Sequence, residues 1–207
     1  DAIQRQITDY KPDRVIAGGG DGTIRLVSRN LIGLDNIPLG ILPLGSANGM
    51  ATALGLPQQV NAAVDLAVNA DHAIPLDLLK FNGKHYCIHL GDIGINALMV
   101  KKYGQSEKRG MIAYAKHLMS SIKESPLLNY TIKTPERTCE KEGYMLAFAN
   151  AHKYGTGVHI SEGDVWDGKF EICNVPKVAL DQAIKAGLTV LNVFVDKNMF
   201  SDVITCT

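Results

Sequence analysis

From residue 1 to about residue 70, segments with the hydrophobic pattern of a β-strand alternate with segments that have the pattern of a helix. Short apolar runs typical of buried β-strands lie at 14–17 and 39–44, and apolar residues at helical spacing surround them. Helices are predicted up to Tyr10, at 22–32, at 46–54 and after Pro57. Because strands and helices alternate, the pattern indicates an α/β layer architecture.

After residue 71 the pattern becomes that of β-structure. Strand-like runs at 74–81 and 85–90 flank Asn82-Gly83, a dipeptide typical of tight hairpins. A helical pattern at 108–123 interrupts the strands, and we interpret its apolar face as core, although such a face can also touch a membrane. Further strands are predicted at 128–133, 144–149, 169–175, 189–194 and the C-terminal residues.

Two domains are therefore expected, an α/β domain at 1–72 and a β-rich domain at 73–207 with a helical insertion. Charged residues cluster at 136–142, and we interpret this cluster as a solvated loop. The first residue is not Met, and the last residues resemble a strand cut short. We expect the chain to be a fragment of a longer protein, truncated at both ends.

The composition narrows the class of protein. The chain has 207 residues, with 21 basic and 21 acidic side chains and a net charge of zero, so nothing indicates a nucleic-acid partner. The four cysteines lack C-x-x-C spacing and are expected to be reduced thiols of a cytoplasmic protein. The six histidines lack ligand spacing and are interpreted as structural or surface residues. No signal peptide or bilayer-spanning apolar run occurs in the sequence.

A glycine-rich loop follows the first predicted strand. Glycines let main-chain amides approach an anion closely, and the N-terminus of the following helix adds partial positive charge. Asp21 would repel a phosphate unless a cation lay between them, so the loop predicts a magnesium nucleotide such as ATP. The candidate nucleotide-binding residues of this loop are Gly18, Gly19, Gly20, Asp21, Gly22 and Thr23.

A second loop follows the second predicted strand, which runs from Leu39 to Leu44. Two strand–loop–helix units in series place both loops at the carboxyl edge of a parallel sheet, where open α/β folds bind ligands. Ser46 is a plausible N-cap of the next helix. The candidate nucleotide-binding residues of this loop are Gly45, Ser46 and Asn48.

Taken in order, these segments resemble the catalytic domain of diacylglycerol kinase-like lipid kinases, a family that includes sphingosine and ceramide kinases and bacterial lipid kinases. Gly19-Gly20-Asp21-Gly22-Thr23 is similar to the family's GGDGT loop, and the segment 43–51 is similar to its PLGTxNDFA loop. Weaker similarities follow at Asp77, at the glycine-rich turn 91–97, at Asn150 with Tyr154-Gly155-Thr156-Gly157, and at Asp167-Gly168-Lys169-Phe170.

The resemblance implies a Rossmann-like N-terminal domain, similar to those of phosphofructokinases and NAD kinases, followed by a β-sandwich domain. It implies an enzyme that uses ATP and Mg²⁺ to phosphorylate a lipid hydroxyl, diacylglycerol-like or sphingoid, at a membrane surface reached from the cytoplasm. Asp21 and Asp77 would be catalytic acids that hold the magnesium ion. Asp167, with the carbonyls of Asp164 and Lys169, would bind a structural magnesium ion.

Two departures from the family pattern bear on activity. Gly49 stands where the family often has an acid, and the DGE segment that supplies the family's general base does not occur before Thr207. Two alternatives therefore stay open, an NAD kinase-like phosphotransferase and a non-catalytic module that binds a nucleotide or lipid. The lipid and the oligomeric state are not determined by these residues, and a homodimer is compatible with them.

Overall fold

The computed structural model describes residues 2–95, 97–98, 101–102, 120–121, 124–150, 164–176 and 201–207. The described residues within 2–89, 150 and 164–168 form one compact unit, and those within 90–149 and 169–207 form another. These units do not coincide with the domains expected at 1–72 and 73–207. The division into those two domains stays a prediction.

The first unit is a mixed α/β structure, as the alternating pattern predicted. Its elements are α1 (Ala2–Tyr10), β1 (Val15–Gly19), α2 (Asp21–Ser28), β2 (Leu39–Pro43), α3 (Gly49–Ala53), α4 (Val60–Asn69), β3 (Leu79–Phe81) and β4 (His85–Cys87). Strands β1 and β2 pair in parallel, from Val15 opposite Leu39 to Gly19 opposite Pro43. Because the two strands end together, the two loops that follow them lie at the same edge.

Helix α4 is fixed to this pair of strands by hydrogen bonds and by close packing. The guanidinium of Arg14 donates to the carbonyls of Ala67 and Ala70 at the end of α4, at 2.7 and 2.6 Å. A Cβ on Gly40 would lie 2.9 Å from the Cβ of Ala67, so α4 approaches β2 more closely than a side chain there would permit.

Both loops rest on a single hydrophobic cluster of the first unit. Its buried members are Ile24, Ile41, Met50, Ala51, Ile88 and Val165. Ile24 belongs to α2 and Met50 to α3, so the helices that follow the two loops share one core.

Two predicted helices are shorter in the structure than expected. The helix predicted at 46–54 is wrong at its start, because Asn48 adopts a left-handed conformation (φ 49°, ψ 45°) and α3 begins at Gly49. The helix predicted at 22–32 ends at Ser28, where the chain tightens into turns through bonds such as that from the Asn30 amide to the Val27 carbonyl.

The Asn82-Gly83 hairpin is confirmed. Both residues have positive φ angles, 50° and 70°, which is the conformation that this dipeptide favours between two antiparallel strands. Strand pairing is shorter than predicted, since only 79–81 and 85–87 pair.

The second unit is built of antiparallel strands. They are β5 (Leu90–Gly94), β6 (Leu128–Lys133), β7 (Thr138–Gly143), β8 (Met145–Ala149), β9 (Phe170–Val175) and β10 (Ser201–Cys206). One sheet has the order β10-β9-β8-β5, and β6 pairs with β7. The cluster of Ile132, Leu146, Ile172 and Ile204 forms its core.

The charged segment predicted as a loop is instead largely strand β7. Its side chains alternate between exposed and partly buried positions up to Gly143, and it pairs with β6 over its whole length. The charges fit a strand because Glu140 and Glu142 lie on the exposed side of a two-stranded ribbon. The prediction of a loop rested on the density of charged residues. It overlooked the two-residue alternation of exposed and partly buried positions that is typical of a strand.

All four cysteines lie in the described ranges and are free thiols. Burial raises the pKa of the Cys173 thiol to about 12, and the nearby charge of Glu171 acts in the same direction. The Cys173 thiol is therefore neutral at ordinary pH, and we assign it to packing.

Two predicted features lie outside the described residues, namely the strand at 189–194 and the glycine-rich motif at 154–157. Of the helix predicted at 108–123, only residues 120–121 are described, and they are helical. Among the described parts of the chain, no helix has both the length and the apolar character needed to cross a bilayer.

The close approach of α4 to β2 gives a test of the fold. Gly40→Ala would place a methyl group within 3.0 Å of the Ala67 carbonyl oxygen, so we expect the free energy of unfolding to fall by about 1–3 kcal/mol. Urea denaturation of the intact protein measures this change. Gly22→Ala is the control, because its added methyl group would meet no described atom within 4 Å and alanine favours a helix. Equal stability of the two variants would contradict the packing described above.

Candidate functional site

The first loop leaves the start of α2 open to a ligand. Gly20 is the extended N-cap of α2 (φ −91°, ψ −174°), and its carbonyl accepts hydrogen bonds from the amides of Thr23 and Ile24. The amides of Asp21 and Gly22 come earlier in the first turn, where a helix offers no acceptor of its own. They lie at the positive end of the helix dipole, as an anion-binding turn requires.

The second loop is shaped by the side chain of Asn48. Its Oδ1 accepts from the Gly45 amide at 2.8 Å, and its Nδ2 donates to the Pro43 carbonyl at 3.1 Å. Asn48 is buried, and these bonds close the loop on itself. The predicted bond from Asn48 to a nucleotide stays a prediction, since one N–H of its amide is left for such a contact.

Asp21 joins the two loops. Its carboxylate accepts from the Gly49 amide at 2.9 Å and from the Met50 amide at 2.8 Å, so a residue of the first loop caps the helix that follows the second. The proposed capping of that helix by Ser46 is wrong, since the N-cap position is Asn48 and the acceptor is Asp21. These two amides stabilise the carboxylate, and each of its oxygens keeps a lone pair for a further partner.

The glycines of the two loops have different reasons for being glycine. A Cβ on Gly45 would lie 2.5 Å from the Cα of Gly20, and one on Gly19 would lie 2.5 Å from the hydroxyl oxygen of Thr23. Gly45 therefore permits main chain to pack on main chain, and Gly19 leaves room for the side chain of Thr23. The Leu44 amide donates to the Gly19 carbonyl at 3.1 Å and also joins the two loops. Gly18, in β1, is less tightly packed, and the atom nearest to a Cβ added there would belong to the side chain of Leu44.

Gly22 is the exception among these glycines. It lies in the first turn of α2, has no left-handed φ, and no described atom would come within 4 Å of its Cβ. A glycine costs a helix about 1 kcal/mol relative to alanine, so neither packing nor backbone conformation accounts for it. Close approach of a ligand to the main chain does account for it. Thr23 on α2 and Ser46 on the second loop are both exposed.

His89 is a residue of the site that sequence reasoning passed over. A Cβ on Gly49 would lie 2.7 Å from Cε1 and 2.9 Å from Nδ1 of His89, so the imidazole ring covers the start of α3 beside Asp21. The side chain is buried, with 7% of its surface exposed. Its position depends on a contact between residues forty apart in the chain, and no local pattern reports such a contact.

Asp77 is brought together with the turn at 164–168. Its amide donates to the Val165 carbonyl at 2.8 Å, and its Oδ2 accepts from the Gly168 amide at 2.7 Å. The structure therefore places a candidate catalytic acid against the segment predicted to bind a structural metal ion. Val165 and Ile88 belong to the same cluster as Ile24 and Met50, so both acids rest on one core.

The turn at 164–168 closes through its own hydrogen bonds. The Asp164 amide donates to Oδ2 of Asp167 at 3.2 Å, and the Asp167 amide donates to the Asp164 carbonyl at 3.1 Å. Gly168 has a φ of 71°, and Lys169 follows it just before β9. Within the described ranges, no three His, Cys, Asp or Glu side chains converge as in a metal site. The metal-binding role of Asp164, Asp167 and Lys169 stays a prediction.

A largely apolar cavity of about 710 Å³ lies in the first unit. Asp77 lines it together with apolar residues that include Leu39, Leu54, Leu66, Ile74 and Leu76. Ile32, Leu66 and Ile74 are 45%, 43% and 50% exposed at this cavity, an arrangement typical of a surface that binds an apolar group.

Comparisons with known proteins bear on this site. Residues 1–81 match the profile of the Diacylglycerol kinase catalytic domain. The resemblance to diacylglycerol kinase-like lipid kinases is confirmed.

A protein of Yersinia enterocolitica named "Probable lipid kinase YegS-like" is 33% identical over 150 residues, covering 70% of this chain and 50% of the relative. Its counterpart in Yersinia pestis (strain Pestoides F) is 34% identical over 148 residues, covering 69% and 50%. The chain spans about half the length of the curated relatives it matches.

Solved structures show the same fold. A crystal structure of a diacylglycerol kinase from Bacillus anthracis str. Sterne has a TM-score of 0.67 and 23% identity, covering 99% of this chain and 66% of the other. A second crystal structure from that organism has a TM-score of 0.69 at 22% identity, covering 100% and 68%. The mixed α/β fold is therefore shared with these proteins.

The bonds that Asp21 makes predict a loss of stability when its carboxylate is removed. Asp21→Ala leaves the amides of Gly49 and Met50 buried without acceptors, so we expect the free energy of unfolding to fall by about 1–3 kcal/mol in urea denaturation. Asp65→Ala is the control, since Asp65 is exposed on α4 and bonds only to the neighbouring Asn69 among the bonds described here. A loss no larger than that of the control would show that Asp21 does not join the loops.

Proposed function

We propose that the protein containing this chain is an ATP-dependent lipid kinase that transfers the γ-phosphate of ATP to a lipid hydroxyl. The observation that carries the proposal is the open first turn of α2, where Gly22 leaves the main chain accessible and Asp21 holds the second loop beside it. The YegS-like relatives, which are named as lipid kinases, support the choice of acceptor.

The nucleotide side of the site fits a polyphosphate. The amides of Asp21 and Gly22 would bind phosphate oxygens, and the hydroxyl groups of Thr23 and Ser46 would add hydrogen bonds. The loops would leave room for the phosphates to approach because no side chain is present at Gly18, Gly19, Gly20 and Gly45. A bound Mg²⁺ ion would neutralise charge that develops during transfer, and Asp21 and Asp77 are the acids available to hold it, directly or through water.

The acceptor side of the proposed site is built around Asp77. The apolar cavity beside Asp77 would accommodate part of an acyl or alkyl chain, since its rim exposes three large aliphatic side chains. Asp167 and the carbonyls of Asp164 and Lys169 would hold a structural magnesium ion that stabilises the turn bonded to Asp77.

We further propose that the β-rich part of the chain is organised as a β-sandwich. We also propose that the enzyme acts at a membrane surface, which it reaches from the cytoplasm.

The acceptor can be tested by comparing substrates. We expect the full-length protein to transfer labelled γ-phosphate to diacylglycerol or a sphingoid base in mixed micelles and not to NAD. Asp77→Asn keeps the size of the side chain but removes its charge, so we expect the transfer rate to fall about 100-fold or more. Asp65→Asn, at an exposed acid of α4 that does not line the cavity, is the matched control. Formation of NADP without lipid phosphate would favour an NAD kinase-like enzyme, and ATP binding without any transfer would favour a binding module.

The role of Gly22 can be separated from its structural effects. Gly22→Val places a branched side chain in open space on the first turn of α2, so we expect stability to change by less than about 1 kcal/mol. The same side chain would block the approach of phosphate, and we expect the affinity for Mg²⁺-ATP to fall about tenfold or more in calorimetry. Unchanged affinity would reject this turn as the phosphate site.

A further inference from the structure

Asn150 ties together two segments of the first unit through its hydrogen bonds. It directly follows β8, and only 3% of its surface is exposed. Its Nδ2 donates to the Asp77 carbonyl at 2.7 Å and to the Ile88 carbonyl at 3.1 Å, and its main-chain amide donates to the His89 carbonyl at 2.8 Å. One residue therefore fixes position 77 relative to positions 88 and 89.

These two segments lead to the two halves of the candidate site. On one side, the carboxylate of Asp77 is bonded to the Gly168 amide. On the other side, the ring of His89 covers Gly49, whose amide is bonded to the carboxylate of Asp21. The contacts form a continuous path through Asp21, Gly49, His89, Asn150 and Asp77.

The amide oxygen of Asn150 indicates that this position serves more than packing. Oδ1 is buried and has no hydrogen-bond partner among the described residues. The orientation of the amide is set by its two carbonyl acceptors, which only the NH₂ group can approach as a donor. The hydrogen bonds of this side chain among the described residues are therefore the two that Nδ2 donates.

We propose that Asn150 is a positioning residue that sets the place of Asp77 relative to the phosphate-binding loops. This inference rests on the proposed phosphoryl transfer, which depends on the placement of charged groups more than on covalent chemistry. A displacement of about 1 Å at such a site can lower a rate about 100-fold. Asn150 does not need to touch the substrate, because it acts through the main chain of Asp77.

The test substitutes Asn150 by Asp in the full-length protein. An ionised carboxylate cannot donate to the carbonyls of Asp77 and Ile88, and a protonated carboxyl can donate to only one of them, so we expect kcat for lipid phosphorylation to fall about tenfold to 100-fold. The KM for ATP should stay within about twofold, because the amides of the first loop are not displaced. Asn150→Ser keeps one donor and should lie between this variant and the parent, and it carries the test if Asn150→Asp does not fold.

Asn174→Asp is the matched control, since Asn174 is also 3% exposed and donates its Nδ2 to the main-chain carbonyl of Glu142 in the second unit. It should lose stability in thermal unfolding but keep kcat per folded molecule. If Asn174→Asp lowers kcat as much as Asn150→Asp, or if neither lowers it, the positioning role is overturned.

Hydrogen exchange separates this inference from the proposed function. The Gly168 amide, held by Asp77, should exchange about tenfold faster in Asn150→Asp than in the parent, and at the parental rate in Asn174→Asp. Faster exchange in a protein that phosphorylates no lipid would support the link to Asp77 while rejecting the kinase. Unchanged exchange and kcat in an active kinase would overturn the link alone.

Discussion

The two hydrogen bonds from the amides of Gly49 and Met50 to the carboxylate of Asp21 hold the site together. They connect the two loops through residues 28 and 29 apart in the chain and place the start of α2 beside the start of α3. Such charge-assisted bonds are stronger than neutral ones, particularly where water is excluded. Asn48 adopts a left-handed conformation and closes its own loop, while Asp21 caps the helix in place of a local residue.

This arrangement gives Asp21 a structural role besides the proposed catalytic one. A carboxylate near a phosphate site needs compensation for its negative charge, and two amides provide part of that compensation before any ligand binds. A divalent ion between Asp21 and a phosphate would add to this arrangement without replacing it, because the carboxylate has lone pairs left. The loops can therefore be formed in advance, which lowers the cost of ordering them around a nucleotide.

The second half of the site follows the same principle, since main-chain groups hold the acid in place. Asp77 is fixed by Val165, Gly168 and Asn150, and the same hydrophobic cluster lies beneath both acids. The two halves thus share one hydrophobic cluster, although their residues come from separate segments of the chain. A site built in this way is sensitive to changes at residues that touch no substrate, such as Asn150.

The sequence by itself determined the parallel strand pair and the position of both loops at one edge, because alternating strands and helices imply them. It also determined the Asn82-Gly83 hairpin, because the turn follows from the preference of this dipeptide. It also identified the ordered motifs that relate the chain to lipid kinases. It assigned every glycine of the loops to phosphate, whereas packing against Gly20 and Thr23 explains Gly45 and Gly19, and only Gly22 faces open space. Tertiary structure alone decided that Asp21 caps α3, that His89 covers Gly49 and that Asn150 holds Asp77, since these contacts join residues far apart in sequence whose spacing carries no periodic signal.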